Sequence, residues 1–159
     1  MRLKIAAVGR LKSGPESALV EDYAARIRAV GRGLGVTQFA IVEVEAPKGL
    51  DGEARRQKES AALIEATGGA RRLALDERGR ALSSEEFAAL LARWRDDGAP
   101  EIALLIGGAD GHAPDLRESA DGLLSFGKAT WPHMLVRVML CEQIYRAMTI
   151  LSGHPYHRG

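Results

Sequence analysis

The sequence predicts an α/β fold, a mainly parallel sheet with helices on both faces, and three observations carry that prediction. Short β-branched or apolar runs alternate with amphipathic segments along the chain, a pattern that implies right-handed crossovers between parallel strands. One run, Ile102-Ala103-Leu104-Leu105-Ile106, is apolar throughout, as a strand covered on both faces requires. No internal repeat, low-complexity segment or linker interrupts residues 1–159, so the chain reads as one domain.

The elements come in order along the chain. Leu3 to Val8 reads as the first strand. The Ser13-Gly14-Pro15-Glu16 turn opens a helix with proline in its first turn, where a missing N–H is harmless, and Leu19, Tyr23, Ile27 and Val30 are expected on its inner face. The glycine-rich Gly31 to Gly35 segment ends it, and Gln38 to Val44 is a β-branched second strand. After a charged loop from Glu45 to Gly52, a polar helix from about Glu53 to Thr67 stops at Gly68-Gly69, and Arg72 to Leu75 forms a short third strand ending at Asp76. Ser83 with Glu86 makes a capping box for a helix facing inward through Phe87, Leu90, Leu91 and Trp94. Residues 102–106 are the fourth strand. Pro114 begins a helix expected to run to about Leu124, a brief extended piece covers Phe126 to Trp131, and Pro132 opens a long last helix to Ser152, capped by Gly153.

Composition narrows the class. Apolar residues at 46% and charged residues at 27% are the balance of a folded globular protein, not a disordered one. The single cysteine, Cys141, has no partner for a disulfide or a zinc cluster, so it reads as core in a reducing compartment. Neither a signal peptide nor an apolar run of about 20 residues is visible, and the expectation is a cytoplasmic protein with no membrane partner. Net charge is +1, but beyond residue 121 Lys128, Arg137, Arg146 and Arg158 face only Glu142, and three of the four histidines lie there too. A basic end suits a phosphate-rich partner, and equally a buried helix that carries few acids.

In open α/β sheets, ligands bind beyond the carboxyl ends of the strands. Gly9 and Gly14 imitate a phosphate loop, but Pro15 and Glu16 stand where its Lys and Ser/Thr must be. No dinucleotide fingerprint and no nucleophile elbow occurs. His154 and His157 supply only two of the three or four ligands zinc needs, so no metal site is expected. Met134, Met139 and Met148 read as core filling. What remains is the Gly107-Gly108 pair after the fourth strand, where the lack of Cβ atoms lets a ligand approach the backbone, although a plain tight turn uses the same residues.

That pair gains meaning from three segments nearer the C-terminus: Pro132-His133-Met134-Leu135-Val136-Arg137, then Glu142-Gln143-Ile144-Tyr145-Arg146, then the ending His154-Pro155-Tyr156-His157-Arg158. In this order, and over nearly the whole chain, the sequence resembles the RlmH family of 23S rRNA pseudouridine N-3 methyltransferases. The resemblance implies a SPOUT-type fold, a mainly parallel sheet flanked by helices with a C-terminal trefoil knot. It also implies S-adenosyl-L-methionine as cofactor, 23S rRNA in the ribosome as substrate, and a homodimer.

By position, the resemblance places cofactor contacts on Leu75, Gly107 and the stretch Phe126, Gly127, Lys128, Ala129, Thr130 and Trp131. Lys128 and Trp131 depart from the family's usual Ser/Leu/Thr-rich stretch. For the chemistry, removal of an imide proton and stabilisation of the resulting anion, it points to His133, Arg137, Tyr156, His157 and Arg158. Each has a plainer use: His133 as a helix cap, Arg137 as partner to Glu142 or a neighbouring subunit, the tail as a frayed end. Gly107 is expected to lack a side chain because the cofactor lies against it, and the tail to extend from the fold toward the RNA. A homodimer is also expected from the last helix, which is apolar on more sides than one core face can absorb. The rival reading is a non-catalytic ribosome-associated RNA-binding module of the same fold, against which stands an aromatic content of only 5%.

Overall fold

The computed structural model describes residues 1–159. Five strands, β1 (Arg2–Val8), β2 (Gln38–Val44), β3 (Arg71–Arg80), β4 (Glu101–Ile106) and β5 (Gly122–Leu124), form one sheet in the order β2-β1-β4-β3-β5, every pair parallel. The helices are α1 (Pro15–Gly31), α2 (Gly52–Thr67), α3 (Ser84–Asp96), α4 (Pro114–Ser119) and α5 (His133–Ser152), with one 3-10 turn at Arg32–Leu34.

The period-2 geometry of strands divides the core in two. Leu3, Ile5 and Ala7 of β1 and Ile102, Leu104 and Ile106 of β4 join a cluster of 24 buried residues with α1, α3 and α5. Ala6, Val8, Ala103 and Leu105 point the other way, into a smaller cluster of 8 with Leu63 of α2 and Leu116 of α4. Both faces of the central strands are therefore covered, which is why residues 102–106 tolerate no polar side chain. The Ser83–Glu86 capping box forms as expected: Glu86 N donates to Ser83 Oγ at 3.1 Å and Ser83 N to the Glu86 carboxylate at 2.7 Å. Gly153 closes α5 in the left-handed region, φ 74°.

Three expectations fail, two of them through tertiary pairing. The helix from Pro114 stops at Ser119, and residues 122–124 form a fifth strand. Asp121 drives this: its N–H donates to Arg72 O at 2.9 Å while its carboxylate accepts from Arg72 N at 2.8 Å, so the chain is captured by the open edge of β3. The third strand is longer than Arg72–Leu75 because Leu124 pairs with both Leu75 and Arg80, and residues 76–79 arch out between those two contacts. On α1 Ile27 is buried and Tyr23 and Val30 pack half-buried against the core as expected, with Val20 and Ala24 buried beside them, whereas Leu19 is 44% exposed. Leu90 of α3 packs half-buried against the same core, beside the buried Phe87, Ala88, Leu91 and Trp94. Cys141 is fully buried, and burial pushes its thiol pKa up to about 12, so it is inert packing.

Candidate functional site

A cleft opens beyond the carboxyl ends of β3, β4 and β5. Its inner part, about 170 Å3, has an apolar wall of Leu75, Ile106, Leu124, Phe126 and Val136. A polar extension of about 420 Å3 shares Leu75, Asp76, Gly108 and His112 with it and adds Arg78, Asp110, Arg117 and Thr130. Together they fall in the range of about 300–1,000 Å3 typical of small-molecule sites.

The loop after β4 shapes the floor. Gly111 N donates to Gly108 O at 3.0 Å, closing a tight turn in which Gly111 holds φ 79°, a conformation that favours glycine. Ser60 of α2 pins its far end, Oγ accepting from Ala113 N at 2.9 Å. Between them lies His112, 2% exposed, with both ring nitrogens buried and unpartnered. Burial lowers the His112 pKa, against the opposing pull of Asp76, and so favours the neutral ring.

Gly107 does line the cleft, but its need for a bare backbone has a second cause. A Cβ there would lie 3.1 Å from Cε1 and Nδ1 of His112. The His112 imidazole is thus a second reason for a bare backbone at Gly107, beside the cofactor contact that the resemblance implies. Gly107→Ala is expected to lower both stability and cofactor affinity. Adding His112→Ala should restore the stability, measured by urea unfolding, so that any affinity still missing reports the cofactor's own approach.

Of the other sequence-assigned positions, Leu75, Phe126, Gly127, Ala129, Trp131 and His133 line the inner cleft, and Thr130 lines the extension. Lys128 is exposed and lines neither. His133 does not cap α5, whose N-cap is Pro132, so its ring is free to serve the cleft. Arg137 does not pair with Glu142. It is 6% exposed, with Nη1 2.5 Å from Glu43 and Nη2 donating to Gly9 O at 3.3 Å, tying α5 to the ends of β1 and β2. Burial works against the Glu43 charge, but Leu11 N–H, Arg137 and Arg10 outweigh it and hold this carboxyl below the usual range.

The tail neither frays nor extends. Tyr156 packs edge-on against Tyr145 at 4.7 Å and donates to Glu142 at 3.1 Å, with the Arg146 guanidinium 4.9 Å over its ring. His157 Nε2 lies 2.7 Å from Glu85, and its Nδ1 3.1 Å from Arg146. None of Tyr156, His157 and Arg158 lines the cleft. Burial, Tyr23 and Glu142 raise the Tyr156 pKa far above its ordinary value, which removes the phenol as a proton acceptor near neutrality. Sequence reasoning missed His112, Asp76 and Gly79. Only Gly79 left a signal, a glycine in the continuation of a strand.

The family model described as Predicted SPOUT methyltransferase matches residues 1–157. The chain belongs to the SPOUT methyltransferase family. A Cereibacter sphaeroides protein named Ribosomal RNA large subunit methyltransferase H is 58% identical over 158 residues, 99% of each chain. Proteins of the same name from Hyphomonas neptunium and Rhodopseudomonas palustris are 52% and 53% identical, covering 100% of both chains. Among solved structures, a probable methyltransferase from Bordetella pertussis Tohama I superposes with TM-score 0.52 at 19% identity, covering 92% of this chain and 95% of that one. A probable methylase family protein from Haemophilus influenzae, at 15% identity and TM-score 0.52, covers 95% and 66%. These two show a shared fold.

The methyl donor of SPOUT methyltransferases is S-adenosylmethionine, which supplies an electrophilic methyl on a sulfonium. The residues present fit it. The apolar wall suits its adenine and the carbon arms of its sulfonium, and Asp76 and Glu77 suit its positive charges. The cleft residues would hold and orient the donor, with Phe126, Val136 and Trp131 along one side of it.

Proposed function

We propose that this SPOUT methyltransferase methylates N-3 of a pseudouridine in 23S ribosomal RNA, with the ribosome as substrate, and works as a cytoplasmic homodimer. The observation that carries the reading is identity of 52–58% over the full chain to proteins named Ribosomal RNA large subunit methyltransferase H. No helix is long and apolar enough to cross a membrane.

The dimer rests on uncovered apolar surface. Leu19, Trp131, Met134 and Leu135 are each 42–44% exposed, and a groove of about 680 Å3 runs between Leu19, Tyr23, Leu82, Val138 and Met139. It meets the cleft at Phe126 and Gly127. A two-fold partner seated there covers what one chain leaves open. Because the tail lies outside the cleft of its own chain, a second copy is also the means of bringing Tyr156, His157 and Arg158 to the acceptor base.

Calorimetry with S-adenosylmethionine, followed by transfer of labelled methyl to ribosomes, tests the activity. Specific cofactor binding and one modified pseudouridine are expected. Ribosome binding without cofactor binding would instead establish a non-catalytic module. Sedimentation at micromolar protein is expected to give a dimer, and a 17.1 kDa monomer would defeat that part.

A further inference from the structure

A second cavity, about 290 Å3, lies beyond the carboxyl ends of β1 and β2, and its wall includes Gly9, Arg10, Ala46, Arg55, Glu59 and Arg137. Gly108 and His133 line both this cavity and the cofactor cleft, so the two adjoin there. Its size is near the lower end of small-molecule sites, about 300 Å3, room for one ring and not for stacked nucleic acid.

Its polar wall is unsatisfied. Glu59 is 2% exposed and its Oε1 is buried without a hydrogen-bond partner. Nε of Arg137 is buried and unpartnered as well. Nε of Arg55 lies 3.2 Å from Asp110 Oδ2 in an ion pair too poorly aligned to be a hydrogen bond, leaving both atoms unmatched. Folded proteins leave few such atoms, and here two donors and a carboxylate sit on the wall of one cavity. The carboxylate lies directly against Gly108, where a Cβ would fall 2.5 Å from Oε2.

We propose that this cavity receives the uracil-type ring of the methyl acceptor and that Glu59 takes its imide proton, an inference that rests on the ribosomal RNA reading above. An imide edge presents two carbonyl acceptors flanking one N–H donor, the complement of arginine N–H groups beside a carboxylate. Cytosine has a bare N-3 in the central position, which would face the carboxylate without a proton, so the same wall rejects it. To enter, the base must leave its stack, as it does in enzymes that act on a single base. Burial raises the Glu59 pKa, with Asp110 adding to it and Arg55 opposing, which brings the carboxylate closer to the basicity a neutral-pH proton acceptor needs. As its O–H bond forms, the ring N–H bond breaks. The nitrogen's electron pair then bonds the methyl while the C–S pair returns to sulfur, and Glu59 releases the proton to water.

Two variants test this. Glu59→Gln keeps the shape and removes the proton acceptor. Ala46→Phe, at an exposed loop position, fills the cavity mouth without touching the core. Both are expected to bind S-adenosylmethionine as the wild type does. Glu59→Gln should lower kcat on ribosomes at least ~100-fold with KM little changed. Ala46→Phe should raise KM and abolish the saturation-transfer NMR signal that pseudouridine 5′-monophosphate gives with the wild type, where cytidine 5′-monophosphate gives none. Near-wild-type turnover by Glu59→Gln, or a pseudouridine signal absent from the wild type or indifferent to Ala46→Phe, overturns the inference. If the wild type methylates no ribosomes, the ribosomal reading fails, and the nucleotide signal still decides whether the cavity takes this base.

Discussion

Gly79→Val is expected to abolish S-adenosylmethionine binding and lower the melting temperature by roughly 5–10 °C, equivalent to about 2–3 kcal/mol in a chain of this size. Residues 76–79 arch over the end of β5, and a Cβ on Gly79 would stand 2.5 Å from the carbonyl carbon of Leu123 and 2.7 Å from Leu124 N. Those atoms are backbone and have no flexible end to move aside. The β3–β5 pairing must open, and with it the hydrogen bond from Ser125 N to Arg80 O at 2.9 Å. Leu75, Asp76, Leu124 and Phe126 all hang on that junction and all line the cleft. Calorimetry and thermal melts read the two effects separately. A Gly79→Val protein that binds cofactor normally would show that the arch can move without disturbing the cleft.

Removal of residues 156–159 is expected to cut methyl transfer to ribosomes by ~100-fold or more, while cofactor affinity stays within about twofold. The tail touches α5 and Glu85 of α3 and lines no part of the cofactor cleft, so its loss leaves the donor's site intact. It does carry packing, the Tyr156 ring on Tyr145 and the hydrogen bond to Glu142, so the truncated protein should also melt a few degrees lower. Arg158→Ala separates the two contributions, because Arg158 is exposed and its loss removes a cation without disturbing that packing. Normal methylation by both variants would make the tail a structural strap only. Loss of cofactor binding on truncation would mean that it serves the donor and not the acceptor.

Much of the fold was legible because its signals are local. The Ser83-Glu86 box, Pro15 in the first turn of α1 and Gly153 after α5 each act within one helical turn, and each sits where the sequence indicated. Residues 102–106 could be placed at the sheet's centre because only two covered faces allow such a run. Part of the cleft wall was legible through the family resemblance, which singled out Leu75, Gly107 and Phe126, all of which line it. It gave no hint of His112 or Asp76, whose importance lies in how they are buried and not in any spacing.

By itself, the sequence determined the parallel α/β class, the ends of α1, α3 and α5, and the family, since periodicity, caps and distinctive segments are written in neighbouring residues. Only the tertiary structure decided the rest. β5 exists because Asp121 meets Arg72 across the sheet, the tail is strapped down because it folds back onto Tyr145 and Glu142 of α5, and Arg137 turns to Glu43 over a separation of 94 residues. The same holds for the cavity at Glu59, whose carboxylate rests against Gly108 from another element. Such contacts join segments whose proximity is set by the packing of the whole sheet, and no local pattern encodes them.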